Sequence, residues 1–359
     1  MSQSQLLPTD YFSDTEVIGR EDHLRLHLNE NPYGPPPGAI AAVHNEADNH
    51  LNCYPDSECR ELLAALAAHF DVPVDNVAVG NGTDELVLLT SMTFLRSPGS
   101  SVAVTETTFP GYLLSARSVG AEPRTVPLRD ASVPAEGIAA ALRDGVDLAW
   151  VCNPLNPTGT ALSGADITHL IDTAEETGSV LVLDEAYMDF AGPEHDIALA
   201  AVRSGRRILV TRTFSKAWGL ASVRVGVVMG PSDLVARIKQ TGSALPFNVT
   251  RSAQRAVLSA LARPEYVDRV REANREARDL LCTSLEALGV DYVPSVTNFV
   301  FLTTPDGHPD LAARLATEHR ILVRDLTAFG LPGKLRISVG TAADVERLTT
   351  ALTEELRRR

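Results

Sequence analysis

Lys216 is one of only three lysines in a chain of 359 residues whose other basic groups are nearly all arginines. A need for surface charge therefore does not explain the lysine in "TFSK" (213–216). An arginine stays protonated, whereas a desolvated lysine gives up its proton and can form a Schiff base with an aldehyde. Asp184 closes the apolar run "SVLVLDEAY" (179–187), where an ionised carboxylate needs a partner. A protonated pyridine nitrogen would serve, as would an arginine or a cap on the next segment. Tyr187, three residues on, can donate to a phenolate oxygen or simply fill core.

"GNGTDE" (80–85) can form an anion site or serve as an ordinary helix N-cap. Gly82 is followed by Thr83 and Asp84 at the start of a helix-like run, which exposes backbone N–H groups. The stretch is neither a P-loop nor a GxGxxG fingerprint, so it does not indicate a nucleotide. Ser215 and Arg224 can add a hydroxyl and a guanidinium to the same anion. Phe109, in "TTFPGY" (107–112), can stack on a flat heteroaromatic ring.

These residues need a scaffold that gathers them. "NVAVGNG" (76–82), "SVAVTE" (101–106), "LAWVCNP" (148–154), "SVLVLDEAY", "RILVTRTFSK" (207–216) and "RVGVVMG" (224–230) read as strands without alternation, as expected when both faces are covered. Amphipathic segments such as "ELLAALAAHF" (61–70) and "ADITHLIDTAEETG" (165–178) lie between them. That alternation predicts an α/β fold, a mostly parallel sheet sandwiched by helices. The carboxyl ends of its strands open onto one crevice, and the polar motifs all follow strands.

After residue 250 the pattern shifts to long helices, then to "TNFVFLTT" (297–304), "RILVRD" (320–325) and "LRISVG" (335–340), predicting a smaller α+β domain. The expected organisation is an N-terminal arm and lead-in over 1–35, a large domain over 36–249 and a small domain over 250–359. "NPYGPPPG" (31–38) reads as too proline-rich for helix or central strand.

Composition narrows the classes. A net charge of −14 and the lack of a basic block before the terminal "RRR" argue against nucleic acid. No apolar run is long enough to span a membrane, and the first residues lack a signal peptide's basic start and apolar core, so the expected location is cytoplasmic. Four cysteines and nine histidines show no metal-ligand spacing, and no metal is expected.

Taken together, "LHLNENPYGPPP" (26–37), "YPD" (54–56), "GNGTDE", "NPLNPTG" (153–159), "DEAY", "TFSKAWGLASVRVG", "PFNV" (246–249), "TNFV", "ILVRD" and "LRISVGT" resemble the fold-type I pyridoxal-phosphate enzymes, and most closely the histidinol-phosphate aminotransferase family. The resemblance implies pyridoxal 5'-phosphate as cofactor, linked to Lys216, which then moves the substrate proton. It implies Asp184 on the pyridine nitrogen, Asn156 and Tyr187 on the ring's 3-oxygen, and Phe109 (or Tyr112) on the ring face. Gly82, Thr83, Asp84, Ser215 and Arg224 would hold the phosphate. Tyr54 would reach it from the other subunit of a homodimer. Arg336, assisted by Arg324, would grip the substrate's anionic group, with Tyr33 close by. The implied substrates are an amino donor such as histidinol phosphate and a 2-oxo acid acceptor such as 2-oxoglutarate.

The match has departures. Cys53 stands where the family often has arginine, "GLASVR" replaces "GLAGLR", and Arg251 follows "PFNV" where an arginine is unusual. These are either drift or the mark of a different anionic substrate. A decarboxylase, β-lyase or cyclase on the same fold, or an aromatic amino-acid aminotransferase, remains open, because one cofactor chemistry serves them all.

Overall fold

The computed structural model describes residues 22–358. Residues 1–21, which carry most of the expected arm and the signal-peptide reading, and Arg359 of the terminal "RRR" lie outside the described residues. In chain order the strands are β1 (Leu24–Leu26), β2 (Val77–Asn81), β3 (Ser101–Thr105), β4 (Glu122–Val126), β5 (Leu148–Cys152), β6 (Val180–Asp184), β7 (Leu209–Thr213), β8 (Val225–Met229), β9 (Tyr292–Val293), β10 (Phe299–Thr303), β11 (Ile321–Asp325) and β12 (Lys334–Ser338).

Seven strands form the larger sheet in the order β2-β8-β7-β6-β5-β3-β4. Only β8 runs against the rest. Every residue of β3, β5, β7 and β8 is buried, which is why their apolar runs do not alternate. The edge strand β4, "EPRTV", has no such run and is half exposed; its sequence carries little strand signal for that reason. A large core surrounds this sheet, including Val102, Trp150, Val182, Val210 and Val227.

The second sheet, β1-β11-β12-β10-β9, has its own apolar cluster, with Leu26, Leu281, Val300, Ile337 and Leu348. The N-terminal strand β1 pairs in parallel with β11, so the chain visits the C-terminal sheet before entering the large one. The proline-rich stretch differs from its sequence reading. Pro37 and Gly38 begin the helix Pro37–His50, because a proline in the first turn lacks only an N–H that has no intrahelical partner anyway. Helix Gly164–Thr177 begins with a Ser163–Asp166 capping box, and Ala342–Arg357 with one formed by Thr341 and Asp344.

Among the described residues, no helix is long and apolar enough to cross a membrane, and no group of three or more His, Cys, Asp or Glu could hold a metal ion. Cys53 is exposed, Cys59 and Cys152 are buried, and all four cysteines are free thiols.

Candidate active site

Parallel β2, β3, β5, β6 and β7 end on the same side of the large sheet, and antiparallel β8 starts there. The register brings particular residues together. Asn81 pairs with Val225, so Gly82 and Arg224 are neighbours at the sheet edge. Cys152 pairs with Asp184, and Asp184 with Thr211, so Asp184 stands between two strand ends. A cavity of about 310 Å³ opens at this edge. Its wall includes Thr83, Asp84, Phe109, Asn156, Asp184, Tyr187, Ser215, Lys216, Arg224, Arg324 and Arg336.

Lys216 sits half-buried in the wall, its Nζ donating to the Leu28 carbonyl at 3.0 Å. Burial, reinforced by the nearby Arg336 guanidinium, brings its pKa down to about 8. A far larger share of this amine is therefore neutral near physiological pH than for an ordinary lysine, and neutral is the state a nucleophile requires. The Nζ lies 5.7 Å from the centre of the Tyr187 ring.

Asp184 is buried, and both carboxylate oxygens accept from hydroxyls: Oδ2 from Tyr112 at 2.5 Å and Oδ1 from Thr211 at 2.9 Å. Among the described residues it has no cationic partner, and burial raises its pKa against the pull of those donors. A buried carboxylate so placed favours any ligand that brings a cation to it. Its sequence neighbour Glu185 instead meets Arg212, which also reaches Asp189 and Asp196. The arginine-paired alternative for Asp184 thus belongs to Glu185.

The anion cradle is built by backbone shape. Helix Gly82–Phe94 starts without a side-chain cap, and the buried Thr83 hydroxyl has no hydrogen-bond partner. Gly82 has φ +75°, and a Cβ there would strike the Arg224 guanidinium. Gly226 likewise lets β8 lie against the Thr83 amide. Arg224 itself adopts a left-handed φ of 59°, a conformation costing an arginine about 1 kcal/mol or more. That strain turns its side chain toward the helix start, where it donates to Ser215 Oγ at 3.2 Å and to Asp84 Oδ2 at 2.6 Å.

The opposite wall comes from the second sheet. Arg336 donates to Asn156 Oδ1 at 2.6 Å and to the His27 carbonyl at 2.8 Å. Arg324, also buried, is its direct cross-strand neighbour. Phe109 packs edge-on to Tyr112, whose own ring stacks on Trp150. Tyr112 is therefore a partner of the aspartate rather than a ring-stacking group.

Two sequence-derived residues lie elsewhere. Tyr54 is 79% exposed and stacks on Phe247, outside this cavity, and Tyr33 is 36% exposed beyond its wall. Arg251 also lies away from the cavity: it pairs with buried Glu46 of helix Pro37–His50. Sequence reasoning missed the roles of Thr211 and Asn29. The Asn29 side chain, within "LHLNENPYGPPP", donates to the Tyr187 hydroxyl at 3.0 Å.

The family model of class I and II aminotransferases matches residues 21–352. The chain is 36% identical over 341 residues to the histidinol-phosphate aminotransferase of Moorella thermoacetica, covering 94% of this chain and 87% of that one. It is 38% identical to histidinol-phosphate aminotransferase 2 of Ralstonia nicotianae, covering 92% and 89%. Among solved structures, the histidinol-phosphate aminotransferase of Sinorhizobium meliloti in complex with pyridoxal-5'-phosphate superposes with a TM-score of 0.86 at 26% identity, covering 99% of each chain. The aspartate aminotransferase of Thermus thermophilus with maleate gives 0.82 at 25% identity, covering 95% of this chain and 93% of that one.

Proposed function

The chain belongs to the histidinol-phosphate aminotransferase family of class I and II aminotransferases, and from that premise we propose how its own residues carry out amino transfer with pyridoxal 5'-phosphate. The residues fit that cofactor. Asp184 has a buried negative charge suited to a pyridinium, the unpartnered Thr83 hydroxyl and the Gly82–Arg224 cradle suit a phosphate, and Lys216 suits an aldehyde. When bound, the cofactor supplies an electron sink that lets an amino acid's Cα–H bond break heterolytically.

Lys216 would hold the cofactor's aldehyde and would move the substrate's Cα proton as a general base, its pKa brought close to the working pH. Asp184, oriented by Tyr112 and Thr211, would keep the ring nitrogen protonated. Phe109, Tyr187 and Asn156 line the same cavity, where Phe109 would cover the ring's face and the other two would hold its oxygen. The backbone groups of Thr83 and Asp84, with the side chains of Ser215 and Arg224, would hold the phosphate. Arg336 and Arg324 bind the anionic end of the donor and, in the reverse half-reaction, of a 2-oxo acid.

The exposed Tyr54–Phe247 pair supports completion of the site by a second copy of the chain, in a homodimer whose active sites are shared. The division at residue 250, between a cofactor-binding unit and a smaller one carrying both substrate arginines, belongs to the same proposal, as does a cytoplasmic location. The preferred donor is histidinol phosphate, as in the relatives, with 2-oxoglutarate as acceptor.

The observation that carries this reading is one cavity holding both a lysine with a lowered pKa and a buried carboxylate lacking a cation. Mixing the holoenzyme with histidinol phosphate should convert the cofactor to its amine form, and 2-oxoglutarate should restore it. Release of carbon dioxide or ammonia without dependence on an oxo acid would replace transamination with a lyase reaction.

A further inference from the structure

Residues 27–30 run past two of the groups that handle the substrate. The His27 carbonyl accepts from Arg336 at 2.8 Å, and the Leu28 carbonyl accepts from Lys216 at 3.0 Å. Asn29 then fastens the segment to the second sheet. Its N–H donates to Ser338 Oγ at 2.8 Å, and its carbonyl accepts from Asn298 Nδ2 at 3.0 Å. The next residue, Glu30, lines the cavity.

Three carboxylates line that cavity, and two are already committed. Asp184 accepts from Tyr112 and Thr211, and Asp84 pairs with Arg224 at 2.6 Å. Glu30 is the third. It is half-buried, and its Oε1 accepts from Arg25 at 2.5 Å. Among the described residues its Oε2 accepts no hydrogen bond. Its charge reaches the reactive amine: burial lowers the Lys216 pKa, and Glu30 works against that fall. Glu30 also borders an adjoining space of about 440 Å³, which leaves room for a ligand group beside the carboxylate.

We propose that Glu30 is a specificity-determining residue that selects amino donors whose side group carries an N–H or a positive charge, such as an imidazole. The donor's anionic end goes to Arg336 and Arg324 and its amine to the Lys216 end, so Glu30 is left to read the third substituent. An imidazole presents an N–H to the open carboxylate oxygen when neutral, and a full charge once protonated. A phenyl ring in the same place would desolvate the carboxylate and give it no partner, which is a cost. This assignment rests on the amino transfer proposed above and adds the residue that separates imidazole donors from uncharged aromatic ones.

The test compares two donors that differ only in the ring, histidinol phosphate and 2-amino-3-phenylpropyl phosphate. The wild-type holoenzyme should have the higher kcat/KM with histidinol phosphate. Glu30→Met should lower that preference by about fivefold or more, the size expected of a partly exposed, charge-assisted hydrogen bond. Glu30→Gln keeps an acceptor without the charge and should fall between the two. Both donors share the amine and the phosphate, so general damage to the fold lowers both alike and leaves their ratio as it was. An unchanged ratio in Glu30→Met would overturn the proposal, as would a wild type that prefers the phenyl donor.

A second readout needs no cofactor. Histidinol phosphate should raise the unfolding midpoint of the wild-type apoprotein more than the phenyl analogue does, and Glu30→Met should remove the difference. Equal shifts in the wild-type apoprotein would overturn the assignment of Glu30, whatever the holoenzyme does. A wild-type holoenzyme whose cofactor neither donor converts would instead defeat the proposed amino transfer, leaving the apoprotein result to decide the role of Glu30.

Discussion

Arg324 and Arg336 stand directly opposite one another across the antiparallel strands β11 and β12, both buried and both lining the cavity. Like charges in that relationship repel, and an anion bound between them offsets the repulsion. Replacing either with methionine should raise KM for an anionic donor by about 10- to 100-fold, the range expected for lost charge-assisted hydrogen bonds. Affinity for pyridoxal phosphate should change little. Inorganic phosphate should raise the thermal unfolding midpoint of the wild-type apoprotein, and less so in Arg336→Met. Equal losses of cofactor and substrate affinity would show that the arginines serve the cofactor.

Lys216 imposes a pH dependence on stability whose sign is fixed. Its pKa is about 8 in the folded chain, against an ordinary value of 10.5. Between those values the unfolded chain holds more protons, so raising the pH favours folding. Below about 8 the penalty of burying the charge is fully present. The Lys216→Met apoprotein should therefore melt above wild type at pH 7, with the gap closing as the pH approaches 10.5. Paired melting curves across that range check it.

Gly82→Ala tests the anion cradle. The new Cβ would meet the Arg224 guanidinium, and φ +75° strains any residue with a Cβ. Pyridoxal phosphate affinity, measured by fluorescence titration, should fall by about tenfold or more, which corresponds to 1.4 kcal/mol. Binding of pyridoxal without its phosphate should fall much less.

Arg251→Ala separates a structural from a substrate role. Arg251 pairs with the buried Glu46 and does not line the cavity. The substitution should lower the unfolding midpoint and leave KM for every donor unchanged. A rise in KM for a phosphorylated donor would return Arg251 to the substrate site.

The sequence carried the chemistry of the large sheet well because its strands are buried on both faces and end in polar motifs. Lys216, Asp184, Asn156, Tyr187 and Arg224 meet where parallel strand ends require them to. Contacts set by long-range packing were not legible. Nothing local marks Tyr112 as the partner of Asp184, since the two lie 72 residues apart and meet through the neighbouring strands. Asn29 reaches Ser338 across 309 residues, and "NENP" does not say which way its amide points. The sequence leaves Arg251, next to "PFNV", open between drift and the mark of a different anionic substrate; its helix faces Pro37–His50. The start of that helix at Pro37 was hidden by the same prolines that permit it.

The most direct measurement is to load the protein with pyridoxal phosphate, reduce it with borohydride, and locate the fixed label by peptide mass spectrometry. The account predicts a single label on Lys216, bleaching of the visible band, and no label in Lys216→Ala. A label on Lys239 or Lys334, or a visible band that survives in Lys216→Ala, would contradict it.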